Sequence, residues 1–189
     1  MGDGPGRVRR PAHRGGRHRQ DTTAPGAGTP FAIAATGGDS AVVSEFTGYF
    51  EHSRVLLRIR PGRPVLPVLT LPSPLSDIDA LAAGASGAIW FSDFGTSQIG
   101  ELQPDGSLRL FADRAPYAGL SDIANGPDGA MWFTEQAGLV GRITRAGVVT
   151  QLALPGAGSE PNGIAAGPAR TIWVTETGAD AIVRITLSR

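Results

Sequence analysis

Short apolar segments separated by glycine-rich turns recur along the chain with a period of about forty residues. Three copies share one template: LAAGASGAIWFSDFGTSQIGEL (81–102), IANGPDGAMWFTEQAGLVGRI (123–143) and IAAGPARTIWVTETGADAIVRI (164–185). Their tryptophans, Trp90, Trp132 and Trp173, are 42 and 41 residues apart, and an Ile or Leu precedes each by nine positions. Such a repeat predicts a structure assembled from equivalent units.

A weaker copy lies upstream, in IAATGGDSAVVSEF (33–46). There Ile33 precedes Val42 by nine positions, so Val42 stands where the later copies have Trp. A longer insertion separates this copy from the apolar segment LLRIRPG (56–62). The repeated region therefore predicts about four units.

Each unit has the pattern of antiparallel β-structure. A short apolar strand meets a turn such as Gly-Pro-Asp-Gly, followed by a strand with Trp and two further short strands. No window has a 3.6-residue apolar period of helical length. Four short strands per unit predict an all-β fold, an incomplete β-propeller of four-stranded antiparallel blades at about 29–70, 71–114, 115–155 and 156–189. The Trp and Ile positions are expected to pack between neighbouring blades.

The last unit ends after its third strand, AIVRITLSR (181–189). An arc of four blades that does not close exposes sheet edges and the apolar sides of its end blades. Our hypothesis is that the chain is the C-terminal part of a larger propeller. A four-bladed ring, or the pairing of two arcs through their open edges, is the alternative.

Charge is distributed unevenly along the chain. Residues 1–20 carry six Arg and one Asp, a net +5, whereas the remainder carries eleven Arg and sixteen acids, a net −5. We interpret residues 1–28 as a disordered Arg/Gly-rich leader, which makes nucleic-acid binding the less favoured partner. The leader has no apolar core of a secretory signal, and no apolar run is long enough to span a membrane, so the expected location is the cytoplasm. The absence of Cys excludes disulfides and thiolate sites.

Four acids follow the repeat, each three residues after the Trp position: Glu45, Asp93, Glu135 and Glu176. They fall at the end of the second strand, on the edge where the first strand begins. Acids converging there suit a hard cation such as Mg²⁺, but strand-end acids also accept hydrogen bonds from backbone N–H groups. The second role is favoured for Glu45, Asp93 and Glu135. The last unit alone adds a second acid, Glu160, at the start of its first strand.

The units GPDGAMWFTEQAGLVGRIT and EPNGIAAGPARTIWVTET…IVRI resemble the repeats of virginiamycin B lyases, which are seven-bladed propellers. The resemblance is good over residues 70–189 and weak over 30–60, and the blade template is shared with gluconolactonase and NHL-type propellers. That family carries Glu-x-His in its last blade and a Glu sixteen residues after the first Glu. The resemblance implies that the two acids bind Mg²⁺ and that the His is the general base. Glu160 and Glu176 match, but Asn162 stands in place of the His.

The resemblance further implies that the substrate is a cyclic depsipeptide of the streptogramin B type, opened by elimination at its ester. A substrate-contacting His of the family is absent from the start of the preceding blade, where Ser121 and Asp122 become the candidate contacts. No His occurs after His52, itself expected to be a solvent-facing loop residue. Tyr117, Asp122 and Glu135 are substitutes for the base on position alone.

Two other functions remain open at the level of the sequence. A non-catalytic propeller would bind a small molecule, peptide or partner on the same rim, which the loss of the His favours. A lactone hydrolase of the gluconolactonase type would use a carboxylate-bound metal and water, but the chain lacks the acid and Asn pattern across several blades that such sites usually show.

Overall fold

The computed structural model describes residues 28–46, 53–112, 118–156 and 158–188. These residues form fifteen β-strands: β1 (Thr29–Thr36), β2 (Ser40–Phe46), β3 (Ser53–Ile59), β4 (Leu66–Thr70), β5 (Ile78–Ala83), β6 (Ile89–Asp93), β7 (Gln98–Leu102), β8 (Leu108–Ala112), β9 (Leu120–Asn125), β10 (Met131–Glu135), β11 (Leu139–Ile143), β12 (Val149–Ala153), β13 (Pro161–Gly167), β14 (Thr171–Glu176) and β15 (Ala181–Thr186). A short 3₁₀ turn at Ala85–Gly87 joins β5 to β6. No helix in these ranges is long and apolar enough to cross a bilayer.

Consecutive strands form four antiparallel sheets, ordered β1-β2-β3-β4, β5-β6-β7-β8, β9-β10-β11-β12 and β13-β14-β15. Three sheets thus have four strands and the last has three, as the sequence pattern predicts. The all-β prediction of propeller blades in an incomplete arc is confirmed. Of the predicted leader, residues 1–27 lie outside the described residues.

The first strands of the four sheets lie side by side at the centre of the arc. Strand β1 packs against β5, β5 against β9, and β9 against β13. The fourth strands are therefore outermost. This order places whatever projects from the start of β5, β9 and β13 close together on one inner rim.

The core lies between neighbouring sheets and contains the repeat tryptophans of the two middle units. Trp90 is 3% exposed and packs with Leu120 and Phe133 of the third sheet. Trp132 packs in the same way against Ile164 and Ile172 of the last sheet. Burying aromatic side chains of this size dominates the packing energy of an interface.

Two of the repeat positions predicted to be core are not buried. Trp173 is 41% exposed and Ile33 is 66% exposed. The reason is positional, because these residues lie in the first and last sheets, and no further sheet among the described residues packs against the outer face of the last one. The prediction that Trp173 is a core residue is therefore wrong, although Ile164 in the same unit is buried as expected.

Candidate functional site

The four repeat acids lie at equivalent places on one rim. Each pairs across the sheet with the start of its first strand: Pro30 with Glu45, Ile78 with Asp93, Leu120 with Glu135 and Pro161 with Glu176. All four carboxylates are buried, none more than 3% exposed. A buried carboxylate requires partners, so the partners that each one finds distinguish their roles.

A serine or threonine just before each acid shapes this rim. The hydroxyl oxygens of Ser44, Ser92, Thr134 and Thr175 accept the backbone N–H of Ala32, Ala80, Asp122 and Gly163 at 2.9–3.1 Å. In every sheet this bond lies where the register of the first strand is irregular. The hydroxyl thereby satisfies an N–H group that the bulged strand leaves unpaired.

Three of the acids have partners within the protein. Glu45 accepts the backbone N–H of Gly28 at 2.8 Å. Asp93 accepts the N–H groups of Asp77 and Thr96 through Oδ1, at 2.8 and 3.2 Å. These two therefore have the predicted strand-end role. Both oxygens of Glu135 instead accept the side-chain amide of Gln151 at 3.0 Å.

Glu176 resembles Asp93, whose Oδ2 is also buried without a partner, but no described backbone N–H is bonded to the carboxylate of Glu176. Glu176 is 3% exposed, and its Oε1 atom is buried with no hydrogen-bond partner among the described residues. A buried carboxylate oxygen without a donor is destabilising by a few kcal/mol, in the order of 1–3 for an unsatisfied group and more when it is charged. A cation beside Glu176 would remove that penalty.

Glu160 lies next to the residue that pairs with Glu176, and its side chain is exposed. Its carbonyl oxygen accepts both the N–H and the Oγ1–H of Thr177 at 3.0 Å, which fixes the start of β13 against the end of β14. Gly178 makes this approach possible, since a Cβ atom there would lie 2.1 Å from the Gly158 carbonyl oxygen and 3.1 Å from Glu160 Cγ.

The donor set at this place suits Mg²⁺. In the parts of the chain that the structure describes, no group of three His, Cys, Asp or Glu side chains could hold a metal ion. Mg²⁺ is usually bound through one or two carboxylates and keeps several waters, and substrate oxygens complete its shell. Glu160 together with the unpaired Oε1 of Glu176 therefore fits the requirement for a cation that is held by two protein ligands.

Asn162 lies on the innermost strand of the last sheet and is exposed. Its carbonyl oxygen accepts a hydrogen bond from Thr134 Oγ1 at 2.6 Å, which ties it to the third sheet. The backbone is therefore held in place. At the position where a proton acceptor is expected, the chain presents an amide, which has no usable basicity near neutral pH.

Ser121 and Asp122 begin the neighbouring inner strand, and both take part in contacts between sheets. Ser121 is buried, and its carbonyl oxygen accepts a bond from Ser92 Oγ at 3.5 Å. Asp122 accepts the N–H of Ile123 through Oδ1 and that of Ile164 through Oδ2, each at 2.8 Å. Burial raises the pKa of Asp122, and these two N–H donors partly oppose the rise. Its carboxylate thus fastens β9 to β13.

Tyr117, a substitute for the base on position, lies outside the described residues, and its contribution to the rim stays a prediction. His52, expected to be a solvent-facing loop residue, also lies outside them.

Asp79 is a candidate that sequence reasoning missed. The N–H of Phe94 bonds to the Asp77 carbonyl just as that of Thr177 bonds to Glu160, so Asp79 occupies in β5 the place of Asn162 in β13. Burial, with the nearby carboxylates of Asp77 and Asp122, raises the pKa of Asp79 to about 6. The signal was readable in the chain, because Asp77 and Asp93 are sixteen residues apart, as Glu160 and Glu176 are. The expectation that the last unit alone adds a second acid is therefore wrong, since Asp77 occupies the same place in the second unit.

The comparison with protein families identifies this arrangement of blades. Residues 66–189 match the model of the virginiamycin B lyase family. The chain belongs to this family. A virginiamycin B lyase from Nocardia farcinica is 35% identical over 98 residues, which are 51% of this chain and 33% of that protein.

Solved structures give the same family relationship. A catalytically inactive His-to-Ala variant of the virginiamycin B lyase from Staphylococcus aureus, solved with quinupristin, is 28% identical, with a TM-score of 0.76 over 83% of this chain and 52% of that one. A gluconolactonase from Xanthomonas campestris is 20% identical, with a TM-score of 0.66 over 87% of this chain and 60% of that one, a likeness of fold alone. The chain thus spans about half the length of the solved lyase and a third of the curated one.

Proposed function

We propose that the protein is a virginiamycin B lyase-like carbon–oxygen lyase that binds streptogramin B antibiotics on this rim and turns them over slowly because Asn162 replaces the base. The substrate is a cyclic depsipeptide, and its ester is opened by elimination without addition of water. Glu160 and Glu176 hold Mg²⁺, and Ser121 and Asp122 lie at the start of the next inner strand, on the substrate side. Activity of this kind would confer antibiotic resistance.

The observation that carries the proposal is the unpaired Oε1 of buried Glu176 beside Glu160. The other three repeat acids have donors from the protein, at Glu45, Asp93 and Glu135. In the second unit Asp93 Oδ2 is also buried without a partner and a second acid, Asp77, is nearby, but Asp93 Oδ1 accepts two backbone N–H groups. The proposal is therefore made for Glu160 and Glu176, where no described backbone N–H is bonded to the buried carboxylate of Glu176. Membership in the lyase family supports a cation at this pair.

Elimination at an ester requires removal of a proton from carbon while negative charge develops on the neighbouring carbonyl. A divalent cation, when bound, supplies the positive charge that stabilises that enolate-like oxygen. The protein holds the two ligands in register by pairing Pro161 with Glu176 and by bonding Thr177 to the Glu160 carbonyl. At Asn162 the chain has no proton acceptor for this step, since an amide accepts no proton. A general base contributes about 10²–10⁴-fold to such a rate.

Asp79 does not replace this base, although its pKa of about 6 suits proton transfer. Its strand, β5, packs against β9, and β9 packs against β13, so a whole blade separates Asp79 from Asn162. A general base must lie within hydrogen-bond reach of the proton it removes. The catalytic inactivity of the His-to-Ala variant in the S. aureus relative supports the same requirement for a histidine in the family.

The test is incubation of the full chain with quinupristin and Mg²⁺, with and without chelator, followed by mass spectrometry. We expect slow ring opening at unchanged mass, faster in Asn162→His and lost on chelation. Asn125→His is the matched control, because Asn125 is exposed at the opposite end of an inner strand. A product heavier by one water would contradict a lyase and identify a hydrolase.

A second candidate function is a non-catalytic propeller that binds a small molecule on the same rim. The amide at Asn162 favours it. Quinupristin binding without turnover, in both the wild type and Asn162→His, would establish this alternative. The gluconolactonase likeness adds no argument for hydrolysis, since it extends to the fold alone.

A further inference from the structure

A cleft lies at the edge of the first sheet that is opposite to the carboxylate rim. It has a volume of about 620 Å³ and is lined by Arg58, Arg60 and Arg63 together with the apolar side chains of Leu66 and Val68. Arg58 pairs with Val42 near the start of β2, whereas the rim acid lies near the end of that strand. The cleft and the candidate lyase site are therefore separate.

No acid neutralises these arginines among the described residues. None of the three forms an ion pair there, and the Nε atom of Arg58 is buried with no hydrogen-bond partner. The exposed Asp39 lines an adjoining cleft with Arg60 and Arg63, but it forms no ion pair with either. A buried guanidinium N–H without an acceptor is destabilising, and an anion in the cleft would supply the acceptor.

The two middle units of the repeat neutralise charge at the same place, whereas Arg184 of the last unit lies over the ring of Trp173, 5.9 Å from its centroid. Glu101 pairs with Trp90 across the second sheet, as Arg58 pairs with Val42, and it forms an ion pair of 2.9 Å with Arg109. In the third sheet the corresponding Arg142 forms an ion pair of 2.6 Å with Asp128. The first sheet has Arg58 opposite Leu66, so its cation is left without an internal acid.

The cleft beside the first sheet is also larger than the cavity at the corresponding place in the second sheet. In the second sheet the rings of Trp90 and Phe111 stack at 5.7 Å, and the cavity beside Trp90 and Glu101 is only about 10 Å³. Val42 replaces the tryptophan in the first sheet. Its smaller side chain gives the arginines no aromatic surface to stack on.

We propose that this cleft binds a small oligoanion, a compact ligand with two or more phosphate groups. Guanidinium groups bind phosphate oxygens through paired N–H donors, so three of them recognise a diphosphate better than a single phosphate. Leu66 and Val68 offer contact to a short apolar part of the ligand. A free phosphate compound and a phospholipid headgroup share this chemistry.

The experiment measures pyrophosphate binding to the full chain by calorimetry at low salt, for the wild type, Arg58→Gln/Arg63→Gln and the single variant Arg60→Gln. The control is Arg170→Gln, since Arg170 is exposed on the same edge of the last sheet and its guanidinium donates to the Ser188 carbonyl at 3.2 Å. Every variant retains the six arginines of residues 1–20, so differences between them report on the cleft.

We expect binding to weaken by about tenfold in the double variant and by a smaller factor in Arg60→Gln, with Arg170→Gln unchanged. Arg60 is exposed, so this variant tests the cleft even if the double variant fails to fold. Equal affinity in all four proteins would overturn the proposal. Binding to phosphatidylglycerol vesicles without binding to pyrophosphate would also overturn it, in favour of a lipid surface.

Discussion

At the scale of single residues, the site depends on where side chains find partners. Glu45 and Asp93 accept backbone N–H groups, although Oδ2 of Asp93 is unpaired. Glu176, at the same step of its blade, has an unpaired oxygen and no bonded backbone N–H among the described residues. The repeat period predicted that all four acids share one rim. It could not predict that Glu135 accepts the Gln151 amide, because that partner comes from outside the template.

Gly178→Ala is expected to displace Glu160, one of the two proposed metal ligands. The added Cβ would lie 2.1 Å from the Gly158 carbonyl, so the segment that carries Glu160 must shift. Overpacking of this kind lowers the free energy of unfolding by about 1–3 kcal/mol. Urea unfolding measures it, with Gly37→Ala as the control, because a Cβ at Gly37 meets nothing within 4 Å. Equal stability of the two variants would contradict this account.

Asp79→Asn is expected to stabilise the protein above pH 6 and to leave it unchanged near pH 4. The pKa of Asp79 is raised from 3.8 to about 6 by burial and by Asp77 and Asp122. Its contribution to stability is therefore present below pH 4 and is lost as the pH rises through 6. Because the side chain is half-exposed, we expect a gain of only about 1 kcal/mol, or about 2–4 °C in Tm, at pH 7.5.

Thermal unfolding of the wild type and Asp79→Asn across pH 4–8 checks this dependence. The difference in Tm between the two proteins isolates Asp79 from the other titrating groups. A difference that stays constant with pH would show that Asp79 has an ordinary pKa.

At the scale of strands, the same cross-strand pair of phenylalanine and glycine occurs in both middle units. Phe91 pairs with Gly100 and Phe133 with Gly141, and a Cβ on either glycine would lie about 2 Å from the facing ring. The last sheet has Val174 opposite Val183 at the same step. The phenylalanine and glycine of the middle sheets are thus replaced in the last sheet by two side chains of intermediate size.

Gly141→Val is therefore expected to be destabilising by about 1–3 kcal/mol, and Phe133→Val by a similar amount through the cavity it leaves. The double variant recreates the Val–Val pair and should recover at least half of the summed loss. Chemical unfolding of the four proteins in a double-mutant cycle measures the coupling. Additive losses would show that the ring and the glycine do not compensate each other.

The strand pattern could be predicted because polar and apolar positions alternate within each blade and glycine turns separate the strands. The environment of Asp79 could not be predicted, since its pKa is raised first by burial, then by Asp77 and then by Asp122 in the next blade. The repeat period shows which residues occupy equivalent strand positions in each blade. Contacts between blades depend on which sheets are neighbours.

At the scale of the molecule, most of one face of the last sheet is exposed among the described residues, although Thr171 at its edge is buried. The exposed residues of this face lie at alternating positions on the three strands: Ala165, Trp173, Thr175, Ile182, Arg184 and Thr186. The opposite face, with Ile172 and Val174, is buried against the third sheet. The sequence predicted an open arc, and for the same reason it wrongly placed Trp173 in the core, since the tryptophan template gives no sign of whether a neighbouring sheet is present.

We expect this face to drive association of the protein with itself. Trp173→Glu/Ile182→Glu should reduce the weight-average mass in sedimentation experiments at high protein concentration, because it places two charges on the apolar surface. Leu152→Glu, at an exposed position on an outer strand, is the control and should not. A monomeric wild type at all concentrations would contradict the expectation.

The central claim is that the rim has the ligands for a cation and lacks a base. The most direct measurement is the ratio of the quinupristin ring-opening rates of Asn162→His and the wild type, with saturating Mg²⁺. We predict a ratio of about 10²–10⁴, with product at unchanged mass. A ratio near one, with chelator-sensitive turnover in both proteins, would show that the wild type already has its base and that Asn162 is not the missing residue.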